Sequence, residues 1–158
     1  MANTQSMATS FLGELMTATH NFGASPIRAA ATADTFKAAL FLASATINAA
    51  TTVYSTTGEV SGTGYTAGGV TVTNATPPTA TNASATAGVA YWTPSASFVY
   101  TSVTLSTAFD AVLVYNSTQS DKAVSVHTFG SQTITAGTFT LTMPSNTTTT
   151  ALLRLATT

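Results

Sequence analysis

Thr35-Phe36-Lys37-Ala38-Ala39-Leu40-Phe41-Leu42 is the stretch on which the fold turns. In an extended chain Phe36, Ala38, Leu40 and Leu42 point to one face and Lys37, Ala39 and Phe41 to the other, because side chains alternate along a strand. Both faces are largely apolar, so the segment reads as an inner strand covered on two sides. The same grammar recurs downstream in short runs: Val70 to Thr73, Val89 to Trp92, Phe98 to Leu105, Phe109 to Tyr115, Ala123 to Phe129, Gln132 to Thr135, Phe139 to Met143 and Ala151 to Leu155. Turn clusters separate them at Thr76-Pro77-Pro78, Thr93-Pro94-Ser95, Asn116-Ser117-Thr118, Ala136-Gly137 and Pro144-Ser145-Asn146. The abundance of Thr and Val suits pleated surfaces, since β-branched side chains lose rotamer freedom in helices. Together these runs predict an all-β chain of eight or nine strands, an antiparallel β-sandwich of jelly-roll-like type.

Upstream of this block, Phe11, Leu12, Leu15 and Met16 recur at helical spacing between Ser10 and Thr19, with Thr9 or Ser10 available as N-cap. A short N-terminal helix is expected there, followed by an extended arm from Asn21 to Ala33 pinned at Phe22 and Ile27. The division is residues 1–34 for helix and arm, and 35–158 for the β-sandwich domain. A long loop from Ala43 to Gly69 carries five of the ten glycines; loops of that length tend to be functional or to grip a neighbour. Thr73 to Ala87, poor in large apolar residues, reads as a mobile connection.

Charged residues make up 6% of the chain, against about 25% in an ordinary soluble domain. A free monomer uses charge for solubility, whereas a protein held in a shell or fibre can present neutral Thr, Ser and Asn surfaces. The deficit therefore points to membership of an assembly, with a homo-oligomer (dimer or trimer) expected. Four Lys and Arg and a formal net charge of −1 supply no basic patch, so no nucleic acid partner is expected. No apolar run reaches about eighteen residues and no cationic, apolar leader opens the chain. No membrane partner is expected, and synthesis is expected in the host cytoplasm. Cysteine is absent, so folding must rest on burial and hydrogen bonding.

The inventory for catalysis is thin: His20 and His127, with Glu14, Asp34, Glu59, Asp110 and Asp121. His127 shares a strand face with Ser125 and Ala123. A Ser-His-Asp site there would need a positioned nucleophile and an orienting acid, and no Gly-x-Ser-x-Gly elbow occurs. It reads as a solvent-facing or interface residue. Asp110, inside an apolar run, must hydrogen-bond to something and reads as a strand-start residue capping a loop. Asp121 and Lys122 read as a solvated turn tip, and no spacing selects a carboxylate pair for glycoside hydrolysis. Gly62-Thr63-Gly64 with Gly68-Gly69 neither follows a strand nor opens a helix, so it is no dinucleotide fingerprint. No calcium loop or His pair has ligand spacing. The expectation is no catalytic residue, no cofactor and no metal, hence no enzyme. Among the aromatics, Tyr54, Tyr65, Tyr91, Tyr100, Tyr115 and above all Trp92 could line a sugar platform, with core or interface packing as the default.

Thr35 to Phe41, Thr51-Thr52-Val53-Tyr54-Ser55 and the block Gly58-Glu59-Val60-Ser61-Gly62-Thr63-Gly64-Tyr65-Thr66-Ala67-Gly68-Gly69 resemble a family of small tailed-bacteriophage virion structural proteins, of head decoration (cement) type. So do Val114 to Ser117, Lys122-Ala123-Val124 and Phe129-Gly130. The resemblance implies a jelly-roll-like virion protein bound to the major capsid protein on the outer surface of the capsid. Partner contacts are expected at Phe11, Leu12, Leu15 and Phe22, and at Tyr54 and Tyr65 in the loop. The alternative is a tail- or fibre-associated module that recognises a glycan or receptor.

Overall fold

The computed structural model describes residues 3–8, 11, 15, 19–20, 22, 33–73, 78–81 and 89–156. Within these the chain is all-β, with eight strands in two antiparallel sheets. They are β1 (Ser6–Met7), β2 (Phe36–Leu42), β3 (Val70–Thr71), β4 (Thr79–Ala80), β5 (Val89–Trp92), β6 (Phe98–Asn116), β7 (Lys122–Leu141) and β8 (Leu153–Ala156). One sheet has the order β1-β7-β6-β2-β3 and the other β4-β5-β8. The helix expected at Ser10 to Thr19 and the arm at Asn21 to Ala33 fall largely outside the described residues; of the former only Phe11, Leu15 and Thr19 are described, Phe11 and Leu15 in helical conformation. No described helix is long and apolar enough to cross a membrane.

β2 lies between β6 and β3 with both faces buried, Phe36, Ala38 and Leu40 on one side and Ala39 and Phe41 on the other. This is the arrangement its doubly apolar pattern demands. Five runs expected as separate strands merge into two: 98–105 and 109–115 are one strand, and 123–129, 132–135 and 139–143 become another that ends at Leu141. The Ala136-Gly137 pair that reads as a turn is instead part of an irregular stretch of continuous ladder. The β6–β7 register slips at five places, and Ser102 and Ala136 take positive φ at 54° and 44°. An extra residue on one strand bends the ladder without ending it. The segment expected to be a mobile connection contains β4, whose Thr79 and Ala80 pair with Tyr91 and Ala90.

Both sheets contribute to one hydrophobic core. Phe36, Phe41, Phe98, Phe109 and Leu113 come from the larger, Trp92 and Leu153 from the smaller, and Ala8, Phe11 and Phe22 from the N-terminal segment. Asn3 anchors the start of that segment: its Nδ2 donates to the Leu42 carbonyl at 3.0 Å and to Asp110 Oδ1 at 2.5 Å, and its Oδ1 accepts from the Ile47 N–H. Asp110 is thereby paired, as a part-buried carboxylate requires. It stands inside β6, however, and not at a strand start.

Candidate functional site

The long loop is not a free excursion. After β2 passes β3, Glu59 and Val60 take over its edge: Val60 N donates to the Leu40 carbonyl and Leu42 N to the Gly58 carbonyl. Farther on, Thr104 N of β6 donates to the Thr63 carbonyl. The loop is then locked from within by a buried carboxylate. Glu59 Oε2 accepts from the Tyr54 hydroxyl at 2.6 Å, and Oε1 accepts from the Tyr65 hydroxyl and the Gly68 N–H, both at 2.7 Å. The Tyr65 oxygen also accepts from the Leu40 N–H at 3.0 Å, tying the lock to β2. Three donors on one carboxylate are charge-assisted and repay its burial.

A second tyrosine layer supports the first. Tyr115 donates to the Gly68 carbonyl and stacks on Tyr54 with ring centres 4.5 Å apart and planes 9° from parallel. Tyr100 donates to the Ala38 carbonyl and stacks on Tyr65 at 6.0 Å. Burial raises the pKa of all four phenols, and the Glu59 charge adds to it; Tyr115 is pushed up to about 12 by burial, then by Asp121 and Glu59. Gly69 makes the close approach possible, since at φ 72° a Cβ would overlap the Ala38 carbonyl. Between this loop and β6 runs a groove of about 140 Å³ lined by Tyr65, Thr66, Val99, Tyr100 and Thr101. Its lining carries no ionised side chain.

A second cleft, about 290 Å³, lies between β1 and β7 on one side and the segment leading into β8 on the other. Gln5, Ser125, His127 and Arg154 supply its polar groups. Ser125 Oγ is 2.9 Å from His127 Nε2, and burial pushes the imidazole pKa down to about 4. His127 is half-buried at the wall of this cleft. Ser125 is 1% exposed, and no carboxylate hydrogen-bonds to the His127 ring among the described residues. Ser125 is thus poorly exposed for a nucleophile, and the described residues supply no orienting acid to the pair.

His20 belongs to a third cluster. Asn116 Oδ1 accepts from the backbone N–H of Thr118 and Gln119, which fixes the amide orientation. Its Nδ2 therefore donates to Asp34 Oδ2 at 2.8 Å and to His20 Nδ1 at 3.0 Å, so this imidazole is read as the Nε2–H tautomer. Gln119 Nε2 adds a bond to Asp34 Oδ1. The cluster staples the N-terminal segment to the β6–β7 turn. Around it pack Phe11, Phe22, Phe36 and Trp92, with Phe22 and Phe36 stacked 4.5 Å apart.

Of the expected partner contacts, Phe11 and Phe22 are 2% and 6% exposed and sit in the core. Leu15 is half-buried beside an apolar hollow of about 90 Å³ formed with Tyr91, Trp92 and Leu155, and Leu12 lies outside the described residues. Tyr54 and Tyr65 are half-buried with their hydroxyls spent on Glu59. Trp92, the leading sugar-platform candidate, is 2% exposed and packs in the core, the default reading for these aromatics. Sequence reasoning missed Glu59 and Asn116 as hubs. An acid flanked by Tyr54 and Tyr65 in a chain with so few acids was the available signal for Glu59. Among the described residues no three metal-ligating side chains cluster. No family model matches the chain, and neither a curated protein nor a solved structure does.

Proposed function

We propose that this chain is a virion structural protein, a capsid decoration (cement) protein that binds the assembled head of a tailed bacteriophage from outside. The observation that carries the proposal is the pairing of a nearly uncharged composition with a loop locked rigidly by Glu59 and four tyrosines. A ligand that binds the shell and not its separated subunits stabilises the shell by mass action, and a rigid ligand loses little entropy on docking. The two sheets sharing one core support a β-sandwich of jelly-roll-like type, with the 1–34 segment as its appendage. The partner is the major capsid protein, and the protein acts as a homo-oligomer without catalytic residues, metal or cofactor. With Phe11 and Phe22 consumed by the core, capsid contacts are best sought at Leu15 and at Tyr54 beside Val53, which is 47% exposed.

A second reading has one observation in its favour. The neutral groove beside Tyr65, which is half-buried over the buried Tyr100, offers part of one aromatic ring and threonine hydroxyls, groups that a sugar ring uses in a tail- or fibre-associated glycan-binding module. One experiment separates the two. Purified protein is added to matching capsids that lack it, and the particles are imaged by electron cryomicroscopy while DNA release is followed on heating. Density at regular lattice positions with DNA held to higher temperature is expected. Bare shells, with density at the tail or adhesion to host cells, would overturn cement and favour the glycan-binding module.

A further inference from the structure

Beyond Val126, β7 has no described strand on the side away from β6; β1 covers only Ser125 and Val126. Among the described residues the rest of that edge is an unpaired row of main-chain donors and acceptors, the surface that soluble proteins ordinarily protect with charge, proline or bulges. Here no Asp, Glu, Lys or Arg stands between Lys122 and Arg154, and β7 contains no proline. Bulging does protect part of it: the register slips near Phe129 to Ser131, and Ala136 is in a positive-φ kink. Past that kink Gly137 to Leu141 continue β7 with no extra residue of their own, the bulge opposite them lying on β6 at Ser102, and make a five-residue stretch of ordinary strand length. Gly137, Phe139 and Leu141 are half-buried along the core side, and Thr138 and Thr140 are exposed on the other.

We infer that a second copy of this chain pairs with this edge, antiparallel and related by a twofold axis at Phe139. Antiparallel pairing of a strand with its own copy exchanges N–H and C=O bonds reciprocally, so the main chain is self-complementary. Self-pairing also sets identical side chains near one another, and any charge would meet its like; this stretch carries none. With the axis at Phe139, Thr138 faces Thr140 of the partner on the outer side and the two Phe139 rings meet on the inner side. Thr–Thr and aromatic–aromatic pairs are among the favourable cross-strand combinations. Phe139 already packs edge-on against Phe109 at 5.1 Å, so its ring is held in place before a partner arrives. This deepens the homo-oligomer part of the proposed function and does not depend on the capsid.

The test is the solution mass of the full chain by light scattering, with backbone hydrogen exchange of residues 137–141 across a concentration series. The expected result is twice the 16.0 kDa chain mass, with amide protection in β7 rising with concentration. Thr138→Lys and Thr140→Lys, on an exposed face, should each return the mass to that of one chain with thermal unfolding little changed. Because the chain has no cysteine, mixing Thr138→Cys with Thr140→Cys under a short thiol cross-linker should trap the mixed dimer in preference to either self-pair. A monomer at every concentration, or a dimer indifferent to the lysines, overturns the inference. Protection of β7 that appears only on capsids also overturns it and assigns the edge to a capsid strand.

Discussion

Glu59 shows how one buried side chain can hold a loop that composition alone would leave loose. Replacing it with leucine strands two hydroxyls and the Gly68 N–H, and the expected loss is about 3 kcal/mol or more. Glu59→Gln keeps an acceptor for two of the three donors and should cost about 1 kcal/mol; urea unfolding of both variants measures the difference. His127 makes a separate demand. Its folded pKa, about 4, lies below the usual 6.5, so the unfolded chain takes up the proton first as the solution is acidified. Stability is therefore intact above pH 6.5 and falls as pH drops through 6.5 toward 4, by up to about 3 kcal/mol. His127→Gln should flatten that limb of a stability–pH curve. The role of His127 was not legible in the sequence, and that of Glu59 was signalled only by its place between Tyr54 and Tyr65. Burial of Glu59 depends on Tyr54, Tyr65 and Leu40 converging from separate elements, which no local pattern encodes.

At the scale of elements, the reading succeeded where periodicity is strong and failed where a break is ambiguous. Phe36–Leu42 and Val89–Trp92 are strands at the residues their alternation indicates. The Ala136-Gly137 pair satisfies the chemistry of a turn and of a bulge equally, and only the continuous partner strand decides for the bulge. Two-residue strands such as Ser6–Met7 and Thr79–Ala80 carry no period at all, so they were invisible. The bulge has a measurable cost. Ala136 holds a conformation that a Cβ disfavours by roughly 1–2 kcal/mol, partly offset by the greater freedom glycine has when unfolded. Ala136→Gly should stabilise the protein by about 0.5–1 kcal/mol, read as a shift of the urea midpoint with unchanged slope.

For the whole molecule, the four buried phenols set an alkaline limit. In the folded state they stay protonated above the pH near 10 at which free tyrosines ionise, Tyr115 to about 12 and the others beyond. Stability is thus complete below pH 10 and is lost as pH rises from there, and in a Tyr91→Phe variant, which leaves only these four phenols, tyrosinate absorbance should appear together with unfolding rather than before it. The all-β class was legible at this scale from β-branched composition and turn spacing. The pairing of β2 with β6 was not, because it joins residues far apart in the chain. That same pairing shapes the time course of folding. β6 and β7 meet through the short turn that Asn116 organises, a local closure that can form early. β2 must instead find β6 across the entire glycine loop, a slower search. Substitutions in the hairpin beside Asn116 should then slow refolding, whereas Glu59→Gln should chiefly hasten unfolding, so the two limbs of a chevron plot would report separately on the hairpin and on the lock.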